Sequence, residues 1–310
     1  MYDNVQFVFL YEVIKICFSM LYFIKMWYNK VRKRKEENQM EKRNKILKIG
    51  LTIITILIVA IIGIVIYDRV TVNNKYRIND ENIDIPIFVY HNIVSNDSEV
   101  IYDYMQTTKA VFEKQILGLK NLGYDFITYE QLQKFKNNEI ELKKKSCILT
   151  FDDGYKGVYE NAYPIAQKYN IPFTMFIITN NMHMDDVISW DNAKEMQDSG
   201  LVTIASHSTD HPEFTSLSVE DAVNDVNNTY KIIEEKLGKQ SIKIFTYPYG
   251  LHKEEQNDAL WKEGYIQNLT DNKINKSKNL DLSRLHRCYP LSDSIFKMTL
   301  KIFYRSIRYN

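Results

Sequence analysis

Two adjacent acidic residues and a pair of histidines in this sequence could form a hydrolytic metal site. Asp152 and Asp153 follow an apolar run at residues 146–151, while His207 follows a second apolar run and His211 comes four residues later. Two neighbouring carboxylates repel each other in a small dry site unless a cation or a shared proton offsets their charge. Two imidazoles and one carboxylate would bind a divalent metal ion and leave one position open, as in catalytic zinc sites. The other carboxylate would then accept a proton from water.

Each of these pieces also has a purely structural explanation. Asp-Asp-Gly is a common turn sequence, and a single histidine after a strand often packs inside a protein with its ring hydrogen-bonded. The presence of both acidic residues and both histidines at strand ends favours the metal site.

The residues that follow the apolar runs should meet at one end of a barrel. Apolar runs alternate with segments of helical periodicity, which is typical of βαβ units, and residues 85–310 suffice for a single α/β barrel. Such barrels carry their chemistry at the carboxyl ends of the strands, where His91, Pro248 and Tyr249 also fall. The predicted strands cover residues 86–90, 146–151, 172–177, 201–206 and 242–247, and the predicted helices cover residues 111–122, 157–169, 190–199 and 219–237.

The composition indicates a globular protein and argues against nucleic acid as a partner. Lysine and arginine number 40 against 39 acidic residues, so the formal net charge is +1 and attracts no phosphate backbone overall. Hydrophobic residues make up 45% of the chain and charged residues 25%, which is ordinary for a protein with a sizeable core. Cys17, Cys147 and Cys288 are too few and too scattered for a disulfide framework or a cysteine zinc site.

An uncharged apolar segment predicts a transmembrane signal anchor. Residues 49–67 hold no charged side chain, and about 19 residues suffice to cross a bilayer core of about 30 Å. Basic residues concentrate before this segment, so the positive-inside rule keeps the N-terminus in the cytoplasm. A cleaved signal peptide is the alternative, but its apolar core would be shorter. The expected order is a cytoplasmic basic segment 1–48, the anchor, a polar tether 68–84 and an extracellular domain 85–310.

Residues 1–39 have two interpretations. The stretch at residues 5–28 is rich in aromatic and aliphatic side chains but carries three charges, which suits a helix at a membrane surface better than a span. Alternatively, Met40 begins a basic segment followed by the apolar one, as a complete signal anchor would, and residues 1–39 are then an upstream extension absent from the working protein.

Three motifs resemble those of a known enzyme family. T-F-D-D-G-Y at residues 150–155, followed by H-S-T-D-H at residues 207–211, resembles the first two motifs of the polysaccharide N-deacetylases, carbohydrate esterase family 4. F-T-Y-P-Y-G at residues 245–250 looks like the third motif. The resemblance covers residues 85–310 and implies a distorted, incomplete (β/α) barrel that removes acetyl groups from N-acetylated sugars.

The same resemblance implies a role for each motif residue. Asp152 would be the general base, and Asp153, His207 and His211 would bind the metal. The backbone N–H of Tyr249 would help the metal hold the oxyanion of the tetrahedral intermediate. The implied metal is Zn²⁺, although two histidines and an aspartate also accept Co²⁺, Mn²⁺ or Ni²⁺.

Two departures from the family pattern are informative. Thr246 stands where the third motif usually has an arginine that steadies the catalytic aspartate, and Arg284 is the candidate to replace it. The late leucine-x-histidine that supplies the general acid is absent, because Arg284 stands two residues before His286.

Both departures are similar to the intercellular-adhesion subgroup, which acts on the biofilm polymer poly-β-1,6-N-acetylglucosamine. The subgroup also resembles this chain in Y-H-N-I at residues 90–93 and S-W-D at residues 189–191. This similarity makes His91 the first candidate for the general acid and His286 the second. Trp190 and Asp191 either start a helix or support the site.

The resemblance therefore predicts a monomeric, metal-dependent N-deacetylase anchored in a membrane and acting on an N-acetylglucosamine polysaccharide. Pro248, Tyr249, Trp190 and Asp191 are the candidate substrate-binding residues, and Tyr102, Tyr104 and Met105 could form a sugar-binding rim or a mobile surface segment. Two alternatives stay open. The substrate could be peptidoglycan or a chitin-like oligosaccharide, or the domain could bind sugar without turning it over.

Overall fold

The computed structural model describes residues 20, 22–26, 40–71, 74–80, 82–96, 105–290 and 295–308. The chain divides into two compact units, Met1–Val72 and Asn73–Asn310. Most of the segment 1–39, with its two interpretations, lies outside the described residues, although residues 22–26 are helical. Tyr102 and Tyr104 also lie outside them.

One long helix dominates the described part of the first unit. Helix α1, Met40–Thr71, is 32 residues long and contains the segment predicted as the anchor. Within it, Lys45–Ile64 is long and apolar enough to cross a membrane, and none of that window is buried in the protein. An apolar helix that stays exposed has no protein core to cover it, which is what a lipid-facing helix requires.

The second unit is built around a parallel sheet. Its strands are β3 Ile87–Tyr90, β6 Asp125–Phe126, β8 Ser146–Phe151, β9 Phe173–Ile177, β10 Val202–Ser206, β11 Ile244–Thr246, β12 Ile266–Leu269 and β14 Leu285–His286. They lie in the order β14-β12-β11-β10-β9-β8-β3, and β6 pairs with the first two residues of β8. Three small pairs flank the sheet: β1 Lys75–Tyr76 with β7 Leu142–Lys143, β2 Asp84–Ile85 with β13 Asn275–Lys276, and β4 Asn92–Val94 with β5 Gln106–Thr108.

Helices lie between the strands, and one more helix follows the last strand. They are α2 Lys109–Asn121, α3 Tyr129–Lys136, α4 Tyr163–Tyr169, α5 Trp190–Asp198, α6 Val219–Leu237, α7 Glu254–Lys262 and α8 Ile295–Arg308. Helix α6 has the bounds that its apolar periodicity predicts, because Ser218 caps its start and Gly238, with φ of 84°, follows its last residue.

The sheet closes on itself between its two outermost strands. Phe88 of β3 pairs with Cys288, directly beyond β14, and the amide of Val89 donates to the Cys288 carbonyl at 3.1 Å. This closure confirms the predicted α/β barrel. All six residues of β8 and all five of β9 are buried, as expected for parallel strands covered on both faces.

Two differences from the sequence-based expectation concern the barrel strands and the start of the folded unit. Strands β12 and β14 were not predicted, because β14 has only two residues and β12 contains Gln267 and Asn268, which are buried and hydrogen-bonded inside the barrel. The polar tether was predicted to run to residue 84. However, strands β1 and β2 pair with β7 and β13, so the folded unit begins earlier.

Candidate active site

One cavity lies at the carboxyl ends of the barrel strands. It has a volume of about 560 Å³. His91 follows β3, Asp152 and Asp153 follow β8, and His207 follows β10, so the parallel strands bring them to one end of the barrel. The residues lining the cavity include these four together with His211, Tyr155, Tyr247, Tyr249, Thr270 and Tyr289.

Three of these residues form a group that could hold a metal ion. One ligand atom from each of Asp153, His207 and His211 lies within 4.8 Å of the other two. Oδ1 of Asp153 is 3.4 Å from Nε2 of His207 and 3.6 Å from Nε2 of His211. That oxygen is buried and has no hydrogen-bond partner among the described residues, and both distances are long for a hydrogen bond. A cation between the three atoms would satisfy it.

The tautomer of His207 also suits a metal ligand. Its Nδ1 lies 2.9 Å from the carbonyl oxygen of Thr246. Because a carbonyl only accepts hydrogen bonds, Nδ1 must carry a proton, which leaves Nε2, the nitrogen that faces Asp153, as the atom that could bind a metal. Such a bond from the second ring nitrogen orients the imidazole of most metal-binding histidines.

Backbone conformation contributes to this arrangement. Asp153, Ser208, His211 and Tyr249 all have φ between 57° and 74°, a region that non-glycine residues rarely adopt. These four residues belong to three of the loops at the cavity. Strain of this kind clusters at functional sites.

The loop between the two histidines is fixed by helix α6. The amide of Thr209 donates to Oδ1 of Asp225 at 3.1 Å, and the hydroxyl of Thr229 lies 3.2 Å from that of Thr209. The amide of His211 donates to Oγ of Ser208 at 2.8 Å. These bonds fix the loop that carries both cavity-lining histidines.

Asp152 forms a buried ion pair with an arginine that the sequence did not predict. The guanidinium of Arg287 donates to both carboxylate oxygens, at 2.7 and 2.8 Å, and also to Oγ1 of Thr270 at 2.8 Å. Arg287 is fully buried. Burial opposes ionisation of Asp152, but the charge and hydrogen bonds of Arg287 outweigh it and lower the pKa of Asp152 to about 2.

Arg284, which was the candidate for this contact, lies elsewhere. Its guanidinium donates to Glu254 at 2.8 Å and to Asp258 at 2.9 Å at the protein surface. Arg284 precedes β14 whereas Arg287 follows it, and only the carboxyl ends of the strands reach the cavity. The expected arginine therefore exists in the structure, but at position 287.

The two candidate acids occupy different surroundings. His91 is buried at the cavity, its ring is nearly parallel to that of Tyr289 at 6.0 Å, and its Nδ1 has no hydrogen-bond partner among the described residues. Burial lowers the pKa of His91, while the charges of Asp152 and Asp153 oppose that shift. His286 does not line the cavity, and its Nδ1 lies 2.8 Å from Oδ2 of Asp271.

The candidate substrate-binding residues are only partly brought together. Tyr249 is 65% exposed at the cavity, and its ring meets that of His211 edge-on at 4.5 Å. Met105 also lines the cavity. Pro248, which precedes Tyr249 in the chain, is buried. Trp190 packs against the core and Asp191 is exposed in the first turn of α5, so both belong to the helix start rather than to the cavity wall.

Fold and site together define a (β/α)-barrel enzyme with a hydrolytic centre, and comparison with known proteins gives its family. The family model for polysaccharide deacetylase matches residues 139–267. The poly-β-1,6-N-acetyl-D-glucosamine N-deacetylase of Staphylococcus aureus is 31% identical over 204 residues, which cover 62% of this chain and 68% of that protein. The chain therefore belongs to the polysaccharide deacetylase family.

Solved structures support the fold. A deacetylase of Streptococcus pyogenes, PplD, superposes with a TM-score of 0.65 at 24% identity, covering 72% of this chain and 99% of that one. IcaB of Ammonifex degensii superposes with a TM-score of 0.62 at 23% identity, covering 71% and 97%. Enzymes of this carbohydrate esterase family are metal-dependent, which agrees with the group formed by Asp153, His207 and His211.

Proposed function

We propose that this enzyme removes N-acetyl groups from a surface polysaccharide of N-acetylglucosamine, with poly-β-1,6-N-acetylglucosamine as the first candidate. The main support is the convergence on one cavity of a carboxylate paired with an arginine, three residues that could hold a metal ion and a buried histidine. The substrate assignment is supported by similarity to the Staphylococcus aureus enzyme that is named for this polymer. Peptidoglycan and chitin-like oligosaccharides are the alternative substrates.

Asp152 is the proposed general base. Its low pKa makes it a weak base that takes a proton only from water of raised acidity. A divalent ion held by Asp153, His207 and His211, with Zn²⁺ as the first candidate, would act as a Lewis acid that makes water more acidic and polarises the acetyl carbonyl. Arg287 keeps the Asp152 carboxylate ionised and fixed in direction.

Two further residues complete the proposed reaction. The backbone N–H of Tyr249 stabilises the negative charge that develops on the acetyl oxygen. His91 gives its proton to the departing sugar nitrogen. The products are acetate and a glucosamine amine, which is protonated near neutral pH, so the reaction converts a neutral polymer into a cationic one.

A soluble fragment of residues 73–310 tests the proposed function. It keeps the β1–β7 and β2–β13 pairs, which a fragment starting at residue 85 would break. After metal removal, we expect acetate release only when Zn²⁺, Co²⁺, Mn²⁺ or Ni²⁺ is returned, with 1,6-linked N-acetylglucosamine oligomers preferred over 1,4-linked ones. Preference for 1,4-linked oligomers would assign a wall or chitin-like substrate. A folded fragment that binds the sugars without releasing acetate under any metal would be a sugar-binding protein.

The identity of the acid is tested by a matched pair of histidine variants. We expect His91→Gln to lower kcat for acetate release by about 10²-fold or more, because it removes the proposed proton donor from the cavity. His286→Gln should retain activity within several-fold, because that side chain lies outside the cavity. A large loss for His286→Gln with a small one for His91→Gln would reverse the assignment.

We also propose that residues 49–67 anchor the chain in the membrane with residues 1–48 in the cytoplasm and the enzyme domain outside. The exposed apolar window Lys45–Ile64 and the basic residues before it support this orientation. Protease added to intact cells should then digest the domain. A domain that resists digestion until the cells are lysed would contradict the outward orientation.

A further inference from the structure

Helix α8 carries a stripe of basic and apolar residues on its exposed side. Lys297, Leu300, Tyr304 and Arg308 are all exposed and are spaced by three, four and four residues, so they lie along one line of the helix. Leu300 is 54% exposed and Tyr304 is 58% exposed. The guanidinium of Arg308 lies 5.8 Å from the centre of the Tyr304 ring and donates to its hydroxyl at 3.2 Å.

The opposite side of α8 is fixed to the enzyme domain. Met298 and Ile302 are buried in the core. Arg305 donates to the carbonyl oxygen of Tyr289 at 3.2 Å and to Oδ1 of Asn272 at 2.9 Å. Because these contacts hold the helix in one rotational position, the exposed stripe cannot turn inward. Arg305 also links α8 to the cavity wall, since the ring of Tyr289 stacks on that of His91.

The charge of α8 differs from that of the chain as a whole. The helix contains Lys297, Lys301, Arg305 and Arg308 and no acidic residue, although the whole chain has a net charge of only +1. A helix with basic and exposed apolar residues along one side suits the boundary between lipid headgroups and acyl chains. Anionic lipids attract such basic residues.

We propose that α8 docks the enzyme domain on the anionic lipid surface of a membrane. Lys297 and Arg308 would meet lipid phosphates, while Leu300 and Tyr304 would enter the headgroup region. The proposal rests on the membrane anchor proposed above and not on the deacetylation chemistry. If Lys45–Ile64 spans a bilayer, the domain whose first strand begins at Lys75 is confined near that bilayer. Confinement raises the effective concentration of the domain at the lipid surface, so even weak docking is favoured.

The test uses the full chain, inserted by its own helix into lipid nanodiscs. A spin label is placed at Leu300→Cys, or at Trp261→Cys as the control on the exposed side of α7, in a Cys17→Ser background in which the other two cysteines are buried. In phosphatidylglycerol discs, we expect the label at 300 to be more accessible to oxygen than to a water-soluble nickel chelate, and the label at 261 to show the opposite. Equal nickel accessibility at both positions would overturn the docking.

Charge variants sharpen this test. Lys297→Gln with Arg308→Gln should lower the ratio of docked to undocked domain about 30-fold, because each basic residue near an anionic surface contributes to binding. Lys239→Gln with Lys262→Gln removes the same charge from exposed positions outside α8 and should leave the ratio within about 2-fold. Equal losses from the two pairs would show non-specific attraction and overturn the proposal.

Two other outcomes separate the related proposals. Soluble polyphosphate could protect the label at 300 from the nickel chelate in phosphatidylcholine discs while phosphatidylglycerol discs do not protect it. That result would overturn the lipid surface as the partner of α8 and assign a phosphate polymer instead. A chain that does not remain with the discs would overturn the anchor and the docking together, while leaving acetate release by the soluble fragment as a separate measurement.

Discussion

Asp152→Asn is expected to lower kcat for acetate release by about 10²- to 10⁴-fold, which is the usual contribution of a general base. The amide has nearly the shape of the carboxylate but cannot accept the proton of the attacking water. Asp153 and both histidines remain in place, so the fragment should still bind metal. Isothermal titration with Zn²⁺ beside the acetate assay would separate loss of the base from loss of the metal site.

A matched substitution controls for this result. Asp191→Asn removes an exposed carboxylate that lies outside the cavity, and its activity should stay within about 2-fold of the wild-type value, as for a surface substitution. The circular dichroism of Asp152→Asn must also be native, because the substitution leaves the buried Arg287 without its ionic partner. A folded Asp152→Asn fragment with near-normal kcat would exclude Asp152 as the base.

The sequence predicted those site residues that come directly after long apolar strands. Asp152 follows a strand of six buried residues, and His207 follows a strand of five of which four are buried. Such apolar runs can be recognised without a structure. The parallel sheet then requires these residues to meet, because it aligns the carboxyl ends of its strands. The group that could hold a metal ion could therefore be predicted from local patterns together with one rule of topology.

Arg287 could not be predicted in the same way. Arg287 is 135 residues from Asp152 in the chain, and β14, the strand that it follows, has only two residues. The neighbouring strand β12 looks polar in the sequence because it contains Gln267 and Asn268. Both can be buried because they accept hydrogen bonds from Tyr247 and Tyr129 inside the barrel. Only closure of the sheet between Phe88 and Cys288 brings Arg287 beneath the cavity.

The backbone conformation of the loops at the cavity could not be predicted from the sequence either. Asp153, Ser208, His211 and Tyr249 adopt positive φ although none is glycine, and no local preference of these residue types requires it. Bonds from a distant element, such as that from Thr209 to Asp225, hold one of these loops. A pattern of neighbouring residues therefore predicts which side chains belong to the site but not how those side chains are oriented.

The second large effect is expected at Arg287. Arg287→Met should lower the free energy of unfolding of the 73–310 fragment by about 3–5 kcal/mol, because it leaves the buried Asp152 carboxylate without its partner. Urea unfolding followed by circular dichroism measures this loss. Arg284→Met is the matched control, and it should cost about 0–1 kcal/mol, since the ion pairs of Arg284 are at the surface.

A double variant distinguishes a lost ion pair from lost packing. If the cost of Arg287→Met comes from an unpaired charge, Arg287→Met with Asp152→Asn should be more stable than Arg287→Met alone, because the second substitution removes that charge. Acetate release should stay low in both, since neither retains an oriented, ionised base. Equal stability of the single and double variants would mean that Arg287 acts mainly by filling space beneath the cavity, against Phe176 and Thr270.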